Sequence, residues 1–189
     1  MNTKFIDLGL PSGTLWADRN LGAEKPEDYG DYFRFGETIP FTEDSPDYIT
    51  KPFGKDISST IYDAAMSYNI NSCIPNTEQF YELLELCSYE WGERNNIAGV
   101  TITGINKNKI FLPAAGCKVS KDLIEEQGRI ISFSSSIHKL DGSTGFMICD
   151  CFWDDSFHQE YYGYPIRPVL FNKNINSKKC KIDEHKREK

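Results

Sequence analysis

The chain has 189 residues, of which 21 are basic and 28 acidic, so its formal net charge is −7. This length suits one domain with a tail, or at most two small domains, and it is sufficient to bury a sizeable core. The acidic balance argues against nucleic-acid binding, which needs a basic footprint, and against electrostatic attachment to anionic membranes.

The N-terminal segment gives an expectation about the compartment. Residues 1–13 contain one lysine and no sustained apolar stretch, so they do not resemble a signal peptide. The chain also has no run of about 18 apolar residues, so we expect no membrane insertion. The sequence as written predicts a cytoplasmic protein. Removal of a signal peptide would instead place the protein outside the cell or on the cell surface.

Turn-forming residues interrupt the first forty positions. Proline and glycine recur every several residues, and short aromatic runs such as residues 29–35 lie between them. This pattern predicts short strands and ordered loops. Residues 41–60 are polar and contain Pro46, Pro52 and Gly54, so we expect an irregular surface excursion there.

Two helices are expected next along the chain. Residues 61–68 predict a short helix with Ser59 or Thr60 as its N-cap. A clearer helix follows Asn76 or Thr77, which are both suitable caps, and it should end near residue 87 or 88. The apolar residues at helical spacing within it are Phe80, Leu83, Leu84 and Cys87.

The second half carries strand signals. The predicted strands are residues 99–105, 109–112, 128–133, 145–152 and 165–170. Residues 118–127 are expected to form a loop, and residues 152–164 an exposed loop rich in aromatic and polar side chains. Early helices followed by a mostly antiparallel twisted sheet predict an α+β fold. We expect one domain over residues 1–170 and a charged, flexible tail over residues 171–189.

The cysteines are predicted to be free thiols, because a chain of this size needs no disulfide scaffold. They are Cys73, Cys87, Cys117, Cys149, Cys151 and Cys180. Cys149 and Cys151 would point to one face of a strand. Zinc needs about four ligands, and no second pair of Cys or His stands at a suitable spacing. Two small buried apolar residues are the favoured interpretation, and no cofactor is expected.

Several stretches resemble a known family. Residues 7–17 read DLGLPSGTLWA and residues 110–116 read IFLPAAG. The other matching stretches are residues 20–38, 62–65, 75–84, 132–136 and 162–169. In this order they resemble the Fibrobacter-type major paralogous domain family of Bacteroidetes. The resemblance implies a C-type-lectin-like fold, related to that of the formylglycine-generating enzyme, with two helices, a twisted antiparallel sheet and long ordered loops.

The chain departs from the family pattern at a few positions. Cys73 and Ile74 stand where the family has Trp-Arg, and Phe35 and Phe133 replace tryptophans. The two phenylalanines keep an apolar ring, so the fold is expected to be retained. Arg167 matches an arginine of the family, and we expect it to be structural and to bind backbone carbonyls in a loop-rich fold.

The resemblance also implies a recognition surface near the C-terminus. In some relatives the C-terminal loops are diversified by a retroelement and form a variable binding face. The candidate ligand-binding residues here are His138, Lys139, Trp153, Asp154, Asp155, Phe157, His158, Tyr161 and Tyr164. His158 and Tyr164 are the stronger surface candidates. For Trp153, Phe157 and Tyr161, a place in the domain's own core is an equal alternative.

Enzymatic interpretations have weaker support. The C-x-C pair is spaced more closely than the copper-binding cysteines of formylglycine-generating enzymes. No ordered motif accompanies a possible Ser134, His158 and Asp154 triad. Calcium needs six to eight oxygens from several segments, and only Asp154 and Asp155 offer carboxylates there. No catalytic or metal-binding residue is predicted.

The sequence therefore predicts a non-enzymatic module that binds an unidentified protein or glycan, but no nucleic acid. One alternative is a structural or assembly component of a surface, phage or fibre. A divergent metal-dependent oxidase is less favoured.

Overall fold

The computed structural model describes residues 3–51, 53–139, 142–149 and 152–171. Within them lie two helices, α1 (Ala64–Tyr68) and α2 (Thr77–Leu86). The strands are β1 (Phe5–Asp7), β2 (Thr14–Ala17), β3 (Tyr32–Phe33), β4 (Ser88–Arg94), β5 (Ile97–Thr103), β6 (Lys109–Pro113), β7 (Cys117–Lys118), β8 (Ile124–Glu125), β9 (Ile131–Lys139), β10 (Gly142–Ile148), β11 (Trp153–His158), β12 (Tyr164–Pro165) and β13 (Val169–Phe171). The α+β class is confirmed. Neither helix is long and apolar enough to cross a membrane, a statement that covers the described part of the chain.

Helix α2 follows the sequence prediction closely. The Asn76 side chain accepts a hydrogen bond from the Gln79 backbone N–H, and the Gln79 side chain accepts one from the Asn76 N–H, both at 2.9 Å. This capping box satisfies two donors that a helix start otherwise leaves unpaired. The helix buries Phe80 and Leu83, and Cys87 caps its C-terminus, so the predicted limits are confirmed.

Helix α1 is shorter than predicted and uses a different cap. Asp63, rather than Ser59 or Thr60, accepts a hydrogen bond from the Met66 backbone N–H at 3.1 Å. The Asp63 carboxylate also accepts the Ser59 backbone N–H at 2.7 Å and the Ile74 backbone N–H at 3.2 Å. Burial raises the pKa of this carboxyl, while these backbone donors act to lower it. The carboxylate thus fixes both the helix start and the segment that follows the helix.

The predicted strands exist, but they are spread over several small antiparallel sheets. Strands β4, β5 and β6 form one sheet, β11, β10 and β9 a second, and β1, β2 and β13 a third. Strand β4 was not predicted, because its sequence SYEWGER is polar and mostly exposed. The predicted loop 118–127 contains β8, which pairs with β7. The predicted strand 165–170 divides into β12, which pairs with β3, and β13, which pairs with β2.

The predicted tail, residues 171–189, lies outside the described residues except for Phe171. That residue ends β13, where it pairs with Thr14.

Stacked aromatic rings join α2 to the sheet of β9, β10 and β11. Phe80 of α2 stacks on Phe146 of β10 with ring centroids 4.6 Å apart, and on Phe133 of β9 at 6.1 Å. Trp16 of β2 meets Phe80 edge-on at 5.3 Å. All four side chains are buried. Because burying each such ring contributes roughly 1.5–3 kcal/mol, the stack fixes the position of the sheet that carries β11.

Two sets of polar contacts hold in place the stretches on which the family resemblance rests. The Ser12 hydroxyl donates to Glu82 of α2 at 2.5 Å, which ties the PSGT turn to the helix. Arg167 is fully buried and donates to the carbonyl oxygens of Ala17 at 3.1 Å and Phe111 at 2.8 Å. Burial lowers the pKa of Arg167 to about 9. The structural role predicted for this arginine is confirmed.

Candidate functional site

The segment expected to be an exposed loop, residues 152–164, begins with a strand. β11 pairs with β10 over its whole length, from Ser143 opposite His158 to Ile148 opposite Trp153. The prediction of a loop was wrong for residues 153–158. The reason is that Asp155 interrupts the apolar face formed by Trp153 and Phe157, so the sequence WDDSFH lacks the regular alternation that marks a strand.

Trp153 lies at the rim of the core rather than on the open surface. It is half-buried and meets Tyr81 of α2 at 5.9 Å and Phe146 at 6.3 Å between ring centroids. A hydrogen bond with the Asp155 carboxylate raises the pKa of Tyr81. Trp153 therefore packs against α2 and anchors β11 there. Of the two alternatives that the sequence left open for this side chain, the structure supports the packing role.

His158 and Tyr164, the stronger surface candidates from the sequence, are both buried, with exposed fractions of 4% and 7%. Their rings stack with centroids 3.9 Å apart. The His158 ring lies directly against Gly145 of β10, where a Cβ atom would fall 2.0 Å from its Cε1. Burial lowers the pKa of His158 to about 3, so the ring is neutral at pH 7. The surface assignment was wrong because glycine on the neighbouring strand leaves room for a ring beneath the sheet.

His138 is also held inside a cluster. Its Nε2 lies 2.7 Å from Oε1 of Glu160, and its ring stacks on Phe35 at 5.6 Å between centroids. The Tyr48 hydroxyl lies 3.2 Å from the other Glu160 oxygen and 3.1 Å from the carbonyl oxygen of Phe35. Burial and the Glu160 carboxylate raise the pKa of Tyr48. His138 and Glu160 thus hold part of the 41–60 excursion against the end of β9.

Glu160 and Tyr48 were absent from the sequence-based site. Their positions are 112 residues apart in the chain, and no local pattern links them. The only signal in the sequence was the irregular excursion of residues 41–60. The structure places this excursion in contact with β9 through a bridge between Asp56 and Ile137.

The remaining predicted residues are on the surface. Phe157 is 52% exposed and Tyr161 49%, and Lys139, Asp154 and Asp155 are exposed as well. We call the exposed residues of this region, together with the adjoining Phe152, the β11 surface. Its members are Lys139, Phe152, Asp154, Asp155, Phe157 and Tyr161.

Backbone geometry places part of the β11 surface together. A Cβ atom on Gly142 would fall 2.5 Å from the Phe157 ring, so this ring lies over the glycine. Gly142 is itself paired with Lys139 of β9. Phe157 and Lys139 are therefore neighbours at one end of the sheet.

The described residues include no group of three or more His, Cys, Asp or Glu that could hold a metal ion. The imagined triad is not assembled either, because Nδ1 of His158 is buried without a hydrogen-bond partner while Asp154 is exposed. Cys149 is half-buried, and Cys151 lies outside the described residues, so the C-x-C interpretation stays a prediction.

Two cavities lie apart from the β11 surface. One of about 720 Å³ is lined by residues that include Arg19, Tyr68 and Pro168. The other, of about 290 Å³, is lined by residues that include Arg34 and Lys51. None of the predicted site residues lines either cavity. The β11 surface is thus not part of these cavities, and it suits contact with a macromolecule better than enclosure of a small molecule.

No family model, curated protein or solved structure matches the chain.

Proposed function

We propose that the chain is a C-type-lectin-like domain of the Fibrobacter-type major paralogous family and acts as a non-enzymatic module that binds a protein or a glycan. The matching sequence stretches support the family part of this proposal, because residues within them form hydrogen bonds with distant segments of the chain. Ser12 binds Glu82 across the molecule, and Arg167 binds two carbonyls from separate segments.

The binding part is carried by one observation: three half-exposed aromatic rings and two exposed carboxylates lie within residues 152–161, on and next to a paired strand. Phe152, Phe157 and Tyr161 are 48%, 52% and 49% exposed, and Asp154 and Asp155 are exposed between them in the sequence. Covering half of such a ring contributes on the order of 1 kcal/mol. Rigid aromatic side chains lose little conformational entropy on binding, as in antibody paratopes.

The test uses three forms of the full chain. The surface variant combines Phe157→Ser, Tyr161→Ser and Asp154→Ser. The matched control combines Ile39→Ser and Ile61→Ser, which are 75% and 80% exposed elsewhere. Each form is screened against a displayed library of random peptides and against a glycan array.

We expect ligands that bind the wild-type chain and the control but lose at least about tenfold in affinity for the surface variant. All three forms should unfold at similar temperatures, because the substituted side chains are exposed. Ligands that bind the surface variant as well as the wild type would contradict the proposal, and so would a screen that yields none.

A further inference from the structure

Strand β11 is an outer strand of its sheet, and among the described residues it pairs on one side only. The sheet order is β11, β10, β9, so β11 and β9 are its two outer strands. The outer edge of β9 is covered, since Ser136 donates its backbone N–H to Pro75 and His138 donates to Lys55, both at 2.9 Å. Among the described residues, the ladder of residues 153–158 runs to β10 alone. Alternate backbone N–H and C=O groups of β11 therefore face outward, where another strand can pair with them.

The usual protections of an edge are absent from this strand. β11 contains neither proline nor lysine, and its register with β10 is continuous, without a bulge. Its exposed charges are the carboxylates of Asp154 and Asp155. These charges oppose pairing with β11 of a second copy, because like charges on adjacent strands repel. They favour a strand with basic side chains.

The surroundings of β11 strengthen this charge preference. Asp155, Asp154 and Glu85 of α2 all act electrostatically on the Tyr81 hydroxyl, which places three carboxylates around one end of the strand. Phe157, at the other end, offers a half-exposed ring beside an incoming chain. An edge, one carboxylate on each face of the strand and a half-exposed ring thus lie along six residues.

We propose that β11 accepts an extended segment of a protein partner with lysine or arginine at neighbouring positions, one for each aspartate, which joins the sheet as its fourth strand. This inference rests on the proposed binding function and names the partner's chemistry. Main-chain hydrogen bonds supply affinity in such strand addition, and alternate side chains supply selectivity.

The probe is a seven-residue peptide with two adjacent lysines among threonines, with both ends blocked. A second peptide has glutamate in place of lysine, and a third carries N-methyl groups on the amides of one edge. The full chain is compared with D154S/D155S and with the charge-matched control D44S/D47S, whose aspartates are exposed in the 41–60 excursion. Affinity is measured by calorimetry, and the binding site by amide chemical shifts.

The expected result is binding of the lysine peptide with shifts in residues 153–158, weakened about tenfold by D154S/D155S but not by D44S/D47S. The glutamate and N-methylated peptides should bind at least about tenfold more weakly. Equal binding of the N-methylated peptide would overturn strand addition, and equal binding to D154S/D155S would overturn the charge preference.

The same assay distinguishes two other candidate occupants of the β11 edge. Residues 172–189 are rich in lysine. A gain in peptide affinity after substitution of Lys178, Lys179 and Lys181 by serine would assign the edge to the chain itself and overturn the assignment to a partner. A concentration-dependent dimer lost in D154S/D155S would assign it to a second copy, with the same consequence. The lysine peptide could show no binding while the library screen yields ligands specific for the β11 surface. That result would overturn strand addition but not the proposed binding function.

Discussion

The neutral, buried His158 predicts how the stability of the protein depends on pH. Burial lowers the pKa of this imidazole from 6.5 to about 3 in the folded chain. The unfolded chain exposes the ring and binds a proton near its ordinary pKa. Between these two pKa values the unfolded state holds more protons than the folded state. The stabilising contribution is therefore fully present above pH about 6.5 and is lost as the pH falls towards 3.

The magnitude follows from the two pKa values. Within that window one extra proton on the unfolded state lowers the free energy of unfolding by about 1.4 kcal/mol per pH unit. Between pH about 6.5 and about 4.5 the loss from His158 alone is on the order of 2–3 kcal/mol. Such a loss is a sizeable part of the roughly 5–15 kcal/mol that stabilises a typical domain.

The assay is urea unfolding of the wild-type chain and of His158→Phe, followed by tryptophan fluorescence at several pH values. The variant keeps a ring against Tyr164 but cannot titrate. Overpacking against Gly145 changes the stability of the variant by an amount that does not depend on pH. The carboxylates titrate alike in the variant and in the wild-type chain. We expect the stability difference, variant minus wild type, to rise by about 2–3 kcal/mol from pH about 6.5 to about 4.5. Parallel pH profiles would refute the reasoning, as would an NMR titration of His158 with its midpoint near 6.5.

Two further substitutions test other parts of the structure. Arg167→Met leaves the carbonyl groups of Ala17 and Phe111 unpaired in the core, so urea unfolding should show a loss of about 2–4 kcal/mol. An unchanged urea midpoint would contradict the assigned role of this arginine. Gly145→Ala places a methyl group into the His158 ring and should cost about 1–3 kcal/mol. A double-mutant cycle with His158→Ala should recover part of that cost, since the methyl group also lies 2.5 Å from the Phe133 carbonyl oxygen, and additive effects would show that the two positions are not coupled.

Local signals in the sequence predicted some elements well. Helix α2 was located from its candidate cap residues Asn76 and Thr77 and from apolar residues at helical spacing. These signals act within a few residues, so the chain carries them wherever the helix packs. The α+β class followed for the same reason, because helix and strand periodicities are local.

The site was harder to predict because its side chains are placed by distant partners. His158 looks like a surface residue until Gly145, thirteen positions earlier, is known to lie beneath its ring. The contact between His138 and Glu160 spans 22 residues, and that between Tyr48 and Glu160 spans 112. Replacement of Trp153, His158 and Tyr164 together would therefore disturb packing as well as any ligand contact.

The most direct test of the central claim is the hydrogen-exchange footprint of a peptide or glycan ligand selected against the wild-type chain. The account predicts slower exchange in residues 153–158 and in Tyr161 when the ligand is bound. Protection confined to residues 19–24 and 68–70, which line the larger cavity, would contradict it.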